Sequence, residues 1–171
     1  MPIWPFQRAR EDLDGEILLG QVTQVSRNVA FYGPEKVADT LEGRFEVVTL
    51  FASLAFVRMR AEPGAAALTQ SFADGVFSQF DAGLREAAVG DLSVPKRMQK
   101  LAGSFYGRLQ AYETALKAGD VAALGQAIGR NVFGDEGAPF AATLAGITAT
   151  LAAKQARLPV STLLTGDGWK A

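Results

Sequence analysis

The chain has 171 residues, of which 49% are hydrophobic and 20% are charged, and its formal net charge is −1. This composition is typical of one globular domain, and the near-zero charge gives no support for a nucleic-acid partner. The sequence contains no cysteine and no histidine. Their absence excludes disulfides, thiolate or imidazole catalysis, serine and cysteine triads, and metal or haem sites with cysteine or histidine ligands.

Helical signals dominate along the chain. Alternating runs of Val, Ile and Thr, which would indicate β-strands, are nearly absent. Residues 1–14 are expected to be a flexible N-terminus, and the first helix is predicted over about 16–28. A second helix is predicted over about 40–60, with Asp39 or Thr40 as its N-terminal cap. The middle of this second helix is apolar on every side, which is typical of a helix surrounded by other helices.

The helical pattern continues through the rest of the chain. A third helix is predicted over about 65–88, and two later ones over about 121–133 and 139–156. A long helix is predicted over about 95–117, between the third helix and the two later ones. Pro95 suits its first turn because the missing N–H of proline has no cost there. Apolar residues recur along this helix at steps of three or four, which predicts one buried face: Met98, Leu101, Phe105, Leu109, Tyr112 and Leu116.

These elements predict an all-α fold, a single-domain bundle of about six helices around the central apolar helix at about 40–60. The helical domain is expected to cover residues 15–158, and residues 159–171 are predicted to form a C-terminal tail with little order. The longest apolar run, Val47–Val57, is shorter than the ~20 residues that a bilayer requires. With no signal-peptide pattern at the N-terminus, we expect a cytoplasmic protein. Peripheral association with the inner face of the cytoplasmic membrane stays open.

Two glycines in the long helix need a packing reason, since each costs roughly 1 kcal/mol of helix propensity relative to alanine. Gly103 and Gly107 form a Gly-x-x-x-Gly pair opposite the apolar stripe, and Lys96 and Lys100 lie on the same side. Small residues of this kind let another helix approach closely. One interpretation is a neighbouring helix of the same chain, and the other is a docking groove for the helix of a partner, rimmed by the two lysines.

Charged side chains cluster at the start of the second predicted helix: Asp39, Glu42, Arg44 and Glu46. Capping, the helix dipole and ion pairing explain such a cluster. The alternative is a polar site on an otherwise apolar helix. Because Arg44 is flanked by apolar residues, a buried ion pair with Asp91 or Asp81 is predicted for it.

Two aromatic pairs, Phe31-Tyr32 and Phe105-Tyr106, are each expected to place one ring in the core while a tyrosine hydroxyl finds a hydrogen-bond partner. An exposed Tyr106 beside Arg108 would instead suit contact with a partner protein.

Several short blocks, in this order and spacing, resemble the ubiquinol–cytochrome c chaperone family, whose members are assembly factors for respiratory complex III. The resemblance covers about residues 15–135. The first block is Phe31-Tyr32, Val37 and Asp39-Thr40-Leu41-Glu42-Gly43-Arg44-Phe45. The second is Leu84-Arg85-Glu86, Val89-Gly90-Asp91-Leu92, Val94-Pro95-Lys96, Phe105-Tyr106-Gly107-Arg108 and Ala111-Tyr112, and a weaker third is Arg130-Asn131-Val132.

The resemblance implies a helical, non-catalytic assembly chaperone that binds newly made cytochrome b and supports biogenesis of the cytochrome bc1 complex. It implies neither a cofactor nor a metal. Mitochondrial members pair with a small partner protein and act near the ribosome exit, whereas a chain without a transit segment resembles a bacterial member. The residues expected to contact a partner are the family-matching polar, small and aromatic positions together with the lysines of the glycine face: Asp39, Arg44, Asp91, Lys96, Lys100, Gly103, Tyr106, Gly107 and Arg108.

Two alternatives belong to other classes. One is a structural helical subunit or interaction protein without a chaperone role, which would keep a large apolar patch covered. The other is an enzyme that uses carboxylates and lysine, with Asp39, Asp91, Lys96 and Arg44 as its candidates. Such an enzyme requires a pocket that gathers these groups and shifts their pKa values.

Overall fold

A computed structural model describes residues 5–87, 90 and 93–170, and for 5–9 it describes the backbone alone. That part of the chain contains seven α-helices and no β-strand. The helices are α1 (Pro5–Ser26), α2 (Leu41–Arg60), α3 (Ala66–Glu86), α4 (Val94–Ala118), α5 (Val121–Ile128), α6 (Pro139–Gln155) and α7 (Thr162–Thr165). Short 3₁₀ turns at Val29–Phe31 and Asp167–Trp169 and a π-helical turn at Gly129–Phe133 complete the architecture.

Helix α2 is the centre of the bundle, as its apolar sequence predicts. Its buried side chains lie on every face, and Leu50, Phe51 and Leu54 are each no more than 1% exposed. Helices α1, α3, α4 and α6 all pack against it. The Thr40 hydroxyl accepts a hydrogen bond from the Gly43 N–H at 3.1 Å, which satisfies one of the free donors of the first turn.

Helix α4 buries the stripe predicted for it. Phe105 and Tyr112 are fully buried, Leu109 is nearly so, and the other three stripe residues are partly buried against the core. The ring of Phe105 lies within about 6 Å of those of Phe56 and Phe77, in edge-to-face geometry. This aromatic contact fixes how α4 sits on α2 and α3.

The first helix begins earlier than the sequence pattern predicts. Helix α1 starts at Pro5, whereas the expected start was near Glu16, so residues 5–14 are helical. Gly15 explains part of the difference, since a Cβ there would overlap the Ser71 side chain of α3. Helices α1 and α3 therefore cross closely at Gly15, which precedes the predicted start of α1.

The C-terminal segment is also more ordered than predicted. After α6 the chain turns back and forms α7 and the last 3₁₀ turn, in which Leu163 and Trp169 are buried. The Trp169 indole N–H donates to the Leu163 carbonyl at 3.0 Å, and the Gln155 side chain donates to the Gly168 carbonyl at 3.0 Å. Two well-separated apolar side chains anchor this segment, and such a sparse pattern has no helical period to detect. The boundaries at residues 14 and 158 as domain limits stay predictions.

Candidate functional site: a cleft beside helix α4

A cleft of about 680 Å³ opens between helices α2, α3 and α4. Its apolar wall combines Leu41, Phe45 and Val48 of α2 with residues of α3 and α4. Leu41 is 45% exposed, so part of this wall is accessible to solvent. The remaining lining side chains include five basic and three acidic residues: Arg27, Arg44, Arg97, Lys100 and Arg108, with Glu42, Glu46 and Glu86.

A second cleft of about 600 Å³ adjoins the first at the C-terminal end of α1. The two share Arg27, Arg44, Val48 and Gln79, so they are neighbours on the surface. Val29 lines the second cleft and is 85% exposed. Apolar groups are therefore accessible to solvent in both clefts.

A largely buried ion pair lies in the wall of the first cleft. Arg108 binds Glu46 with two parallel hydrogen bonds, from Nε and Nη2 to the two carboxylate oxygens, each at 2.6 Å. The same guanidinium donates to the Ser104 carbonyl at 3.2 Å and stacks over the Phe45 ring. Burial raises the pKa of Glu46, and the hydrogen bonds from Arg108 act in the opposite direction. The pair fixes the position of α4 against α2, because its geometry is bidentate.

Arg44 does not form the buried pairing expected from its apolar neighbours. It points to the surface and binds Asp39 at 2.7 Å, with both side chains more than half exposed. The Arg44 guanidinium lowers the pKa of Asp39 mainly through this hydrogen bond. Asp81 instead pairs with Arg85 on its own helix, and Asp91 lies outside the described residues. The preference of a guanidinium for water explains the outcome, since a surface position avoids its desolvation.

The glycine pair of α4 faces away from the bundle. Gly103 and Gly107 are exposed, and a Cβ built on either would meet nothing within 4 Å in the part of the chain that the structure describes. An intramolecular helix neighbour therefore does not explain them, and that interpretation is wrong. Lys96 and Lys100 are exposed on the same helix, and Tyr106 is 52% exposed.

The aromatic pairs behave as predicted in one case only. Phe31 is buried while the Tyr32 hydroxyl donates to the Ser26 carbonyl at 2.8 Å. In the second pair, Phe105 is buried but its neighbour Tyr106 lies at the surface, with its ring against Phe77. The exposed alternative for Tyr106 is thus the one observed.

The structure divides the predicted partner residues into two neighbouring groups. Arg44, Lys100 and Arg108 line the first cleft, and Asp39 lines the second cleft. The others that the structure describes form the outer surface of α4: Lys96, Gly103, Tyr106 and Gly107. Lys100 joins the groups, since at 100° per residue it lies between Ser104 and Gly107 around the helix. The catalytic alternative required Lys96 to meet Asp39 and Arg44, but Lys96 lines neither cleft.

Glu46 is the residue whose role sequence reasoning missed. Its position among apolar residues of a central helix is a signal of a buried charge, but nothing in the sequence names Arg108, 62 residues away, as its partner.

Residues 35–169 match the family described as ubiquinol-cytochrome C chaperone. The chain belongs to this family. A solved structure, described as that of the Cbp3 homolog from Brucella abortus, is 37% identical and superposes with a TM-score of 0.82, covering 95% of this chain and 92% of that one. Among proteins with curated descriptions, none matches the chain.

The family blocks combine structural and surface roles in this chaperone-family chain. Within the first block, Gly43 is structural, because a Cβ there would overlap the Ala38 carbonyl oxygen where the chain turns into α2. In the second block, Phe105 builds the core and Arg108 binds Glu46, while Tyr106 and Gly107 are exposed. Buried members of the blocks thus explain the fold, and the exposed members are the ones free to contact a partner.

No helix among the described residues is long and apolar enough to span a membrane. The same part of the chain contains no cluster of three or more carboxylates suited to a metal ion.

Proposed function

We propose that this chain is a non-catalytic assembly chaperone that binds newly made cytochrome b and supports biogenesis of the cytochrome bc1 complex. The observation that carries the proposal is the match to a Cbp3 homolog at 37% identity over nearly the whole length of both chains. The family description, ubiquinol-cytochrome C chaperone, points to the same process. Peripheral association with the inner face of the cytoplasmic membrane and a small assembly partner are parts of the same proposal.

The outer face of α4 supports a role in binding another protein. Two exposed glycines within one helix lower its stability without any packing gain against the described residues. A helix of the client laid across Gly103 and Gly107 would supply that gain, since small residues let two backbones approach closely. Lys96, Lys100 and Tyr106 surround this face, and Tyr106 offers a large amphipathic contact surface.

Deletion of the gene is expected to lower the b-haem signal of the bc1 complex in native membranes. The measurement is a reduced-minus-oxidised absorbance spectrum, with the signals of other cytochromes as the internal control. Restoration by the wild-type gene would assign the loss to this chain. An unchanged b-haem signal after deletion would contradict the proposed function.

Substitutions at the glycine face test where the client binds. Gly103→Leu and Gly107→Leu should each leave the fold intact, because nothing lies within 4 Å of the added Cβ, and should raise stability by roughly 1 kcal/mol through helix propensity. We expect both variants to restore less b-haem than the wild type in the deletion strain. Gly20→Leu is the matched control, because Gly20 is an exposed glycine inside α1 with equally open space. Full restoration by both α4 variants would remove this face from the proposal.

A further inference from the structure

The first cleft has the shape of a receptor for a helix. Its apolar wall on α2 comes from Leu41, Phe45 and Val48, which share one face at steps of four and three. On the α3 side, Ala82 and Gly83 leave room, and a Cβ at Gly83 would meet only the tip of Leu41, at 3.9 Å. Grooves with these features accept the apolar face of an amphipathic helix.

Three cations of the cleft have no ion-pair partner among the described residues: Arg27, Arg97 and Lys100. Arg97 lies in the first turn of α4 and Lys100 in the second, and that first turn contains no acidic residue. A helix N-terminus disfavours positive charge within its first turn, so Arg97 works against the stability of its own helix. Helix formation therefore does not explain the presence of Arg97.

The ion pair in the cleft wall retains capacity to bind an anion. Arg108 has five N–H groups, and the described residues supply acceptors for three of them, two from Glu46 and one from Ser104. The two remaining N–H groups belong to a side chain that lines the cleft and is 20% exposed. Arg108 and Lys100 both line the cleft from α4, so a carboxylate bound there has two cationic side chains on the same wall.

We propose that the cleft between α2, α3 and α4 binds an acidic amphipathic helix, with its apolar face on Leu41, Phe45 and Val48 and its carboxylates on Arg97, Lys100 and Arg108. The proposal rests on the proposed function in taking this helix to be a segment of the client protein. Glu42 and Glu86 also line the cleft without ion-pair partners in the described chain, so the carboxylates of the bound helix belong beside α4 and away from these two residues. Binding of a lipid surface in place of the helix is an outcome of the test below.

The direct test measures binding of two synthetic helical peptides of about 14 residues, roughly four turns. Both carry Leu at i, i+3, i+4 and i+7, and their flanking positions are Glu in one and Lys in the other. Fluorescence anisotropy with the full chain should show that the Glu peptide binds at least about tenfold more tightly than the Lys peptide, and that added salt weakens it. Equal affinity for the two peptides would overturn the proposal. So would binding of phosphatidylglycerol vesicles in place of the Glu peptide.

The double variant R97E/K100E locates the binding site. It should lose about tenfold or more in affinity for the Glu peptide while its melting temperature stays equal or rises, since glutamate suits the start of a helix. R157E is the matched control, because Arg157 is exposed beyond α6 and lines neither cleft. An equal loss in R157E, or none in R97E/K100E, would contradict the assignment.

Complementation separates this inference from the proposed function. If deletion lowers b-haem and R157E restores it while R97E alone does not, the cleft is the client site, because Arg97 lines the cleft and is not part of the glycine face. If R97E/K100E restores b-haem fully, the cleft assignment fails and the chaperone function stands. If deletion leaves b-haem unchanged, the proposed function fails, and the peptide measurement then decides the cleft alone.

Discussion

Replacing Glu46 with alanine is expected to lower the free energy of unfolding by about 3 kcal/mol, because it leaves the Arg108 guanidinium poorly compensated in a largely buried position. The expected loss is at the lower end of the range measured when one partner of a buried ion pair is removed, since both side chains keep a small exposed fraction. Urea denaturation followed by far-UV circular dichroism measures the change. Asp39→Ala is the matched control, because its exposed pair with Arg44 should contribute no more than about 1 kcal/mol.

The double variant E46L/R108M distinguishes two roles for this pair. Removing both charges and filling the space with apolar groups should bring stability back to within about 1 kcal/mol of the wild type, because desolvation of the ions offsets most of their attraction. The pair then fixes the geometry of α4 on α2 without adding net stability. A double variant as unstable as E46A would show instead that the pair itself stabilises the fold.

The pH dependence offers an independent readout of the same pair. Burial raises the pKa of Glu46 above its ordinary value of about 4.3, so the folded chain binds this proton more tightly than the unfolded chain does. The associated stability is fully present below the unfolded pKa and is lost as pH rises through the folded pKa. The advantage of the wild type over E46Q, which does not titrate, should therefore be larger at about pH 4 than at about pH 7.

Replacing Trp169 with alanine is expected to destabilise the protein by about 3 kcal/mol, because a buried indole and its hydrogen bond to Leu163 are both removed. Trp169→Phe keeps most of the ring contact and should cost about 1 kcal/mol less than the alanine variant. The exposed neighbour Lys170 serves as control, since Lys170→Ala removes only a surface pair with Asp167.

Thermal unfolding and amide hydrogen exchange together test the Trp169 prediction. Exchange protection of α7 and of the α1 surface that it contacts should fall in Trp169→Ala. A change below 0.5 kcal/mol would mean that the C-terminal segment contributes nothing to the stability of the bundle in solution.

The sequence predicted most of the architecture where apolar residues recur at helical spacing. Helices α2, α3, α4 and α6 lie within two residues of their predicted limits, because Thr40, Pro95 and the glycines after helices give local stop and start signals. The fifth predicted helix divides at Ile128 into α5 and the π-helical turn. A Cβ at Gly129 would overlap the Asp135 carbonyl oxygen, so this bend depends on a close backbone approach that no local periodicity reveals.

The candidate site was harder to predict, for a physical reason. Exposure of Gly103 and Gly107 depends on which side of α4 the bundle covers, and the apolar stripe gave that correctly. The pairing of Arg108 with Glu46 joins residues far apart in sequence, and the exposure of Arg44 depends on which part of the start of α2 the other helices leave uncovered. Tertiary packing decides both the pairing and the exposure, and the spacing of residues in the sequence does not reveal that packing.

The central position of α2 also has a consequence for synthesis. Its last residue, Arg60, leaves the ribosome 95 residues before Gln155, the end of α6, which packs against it. At translation rates of about 5–20 residues per second, this interval lasts roughly 5–20 s. In the finished fold Arg58 of α2 donates hydrogen bonds to the Gln155 and Leu158 carbonyls, and it cannot form them until those residues have been synthesised. The part of α2 that α6 covers in the finished fold therefore stays without that cover for seconds during synthesis of the chain.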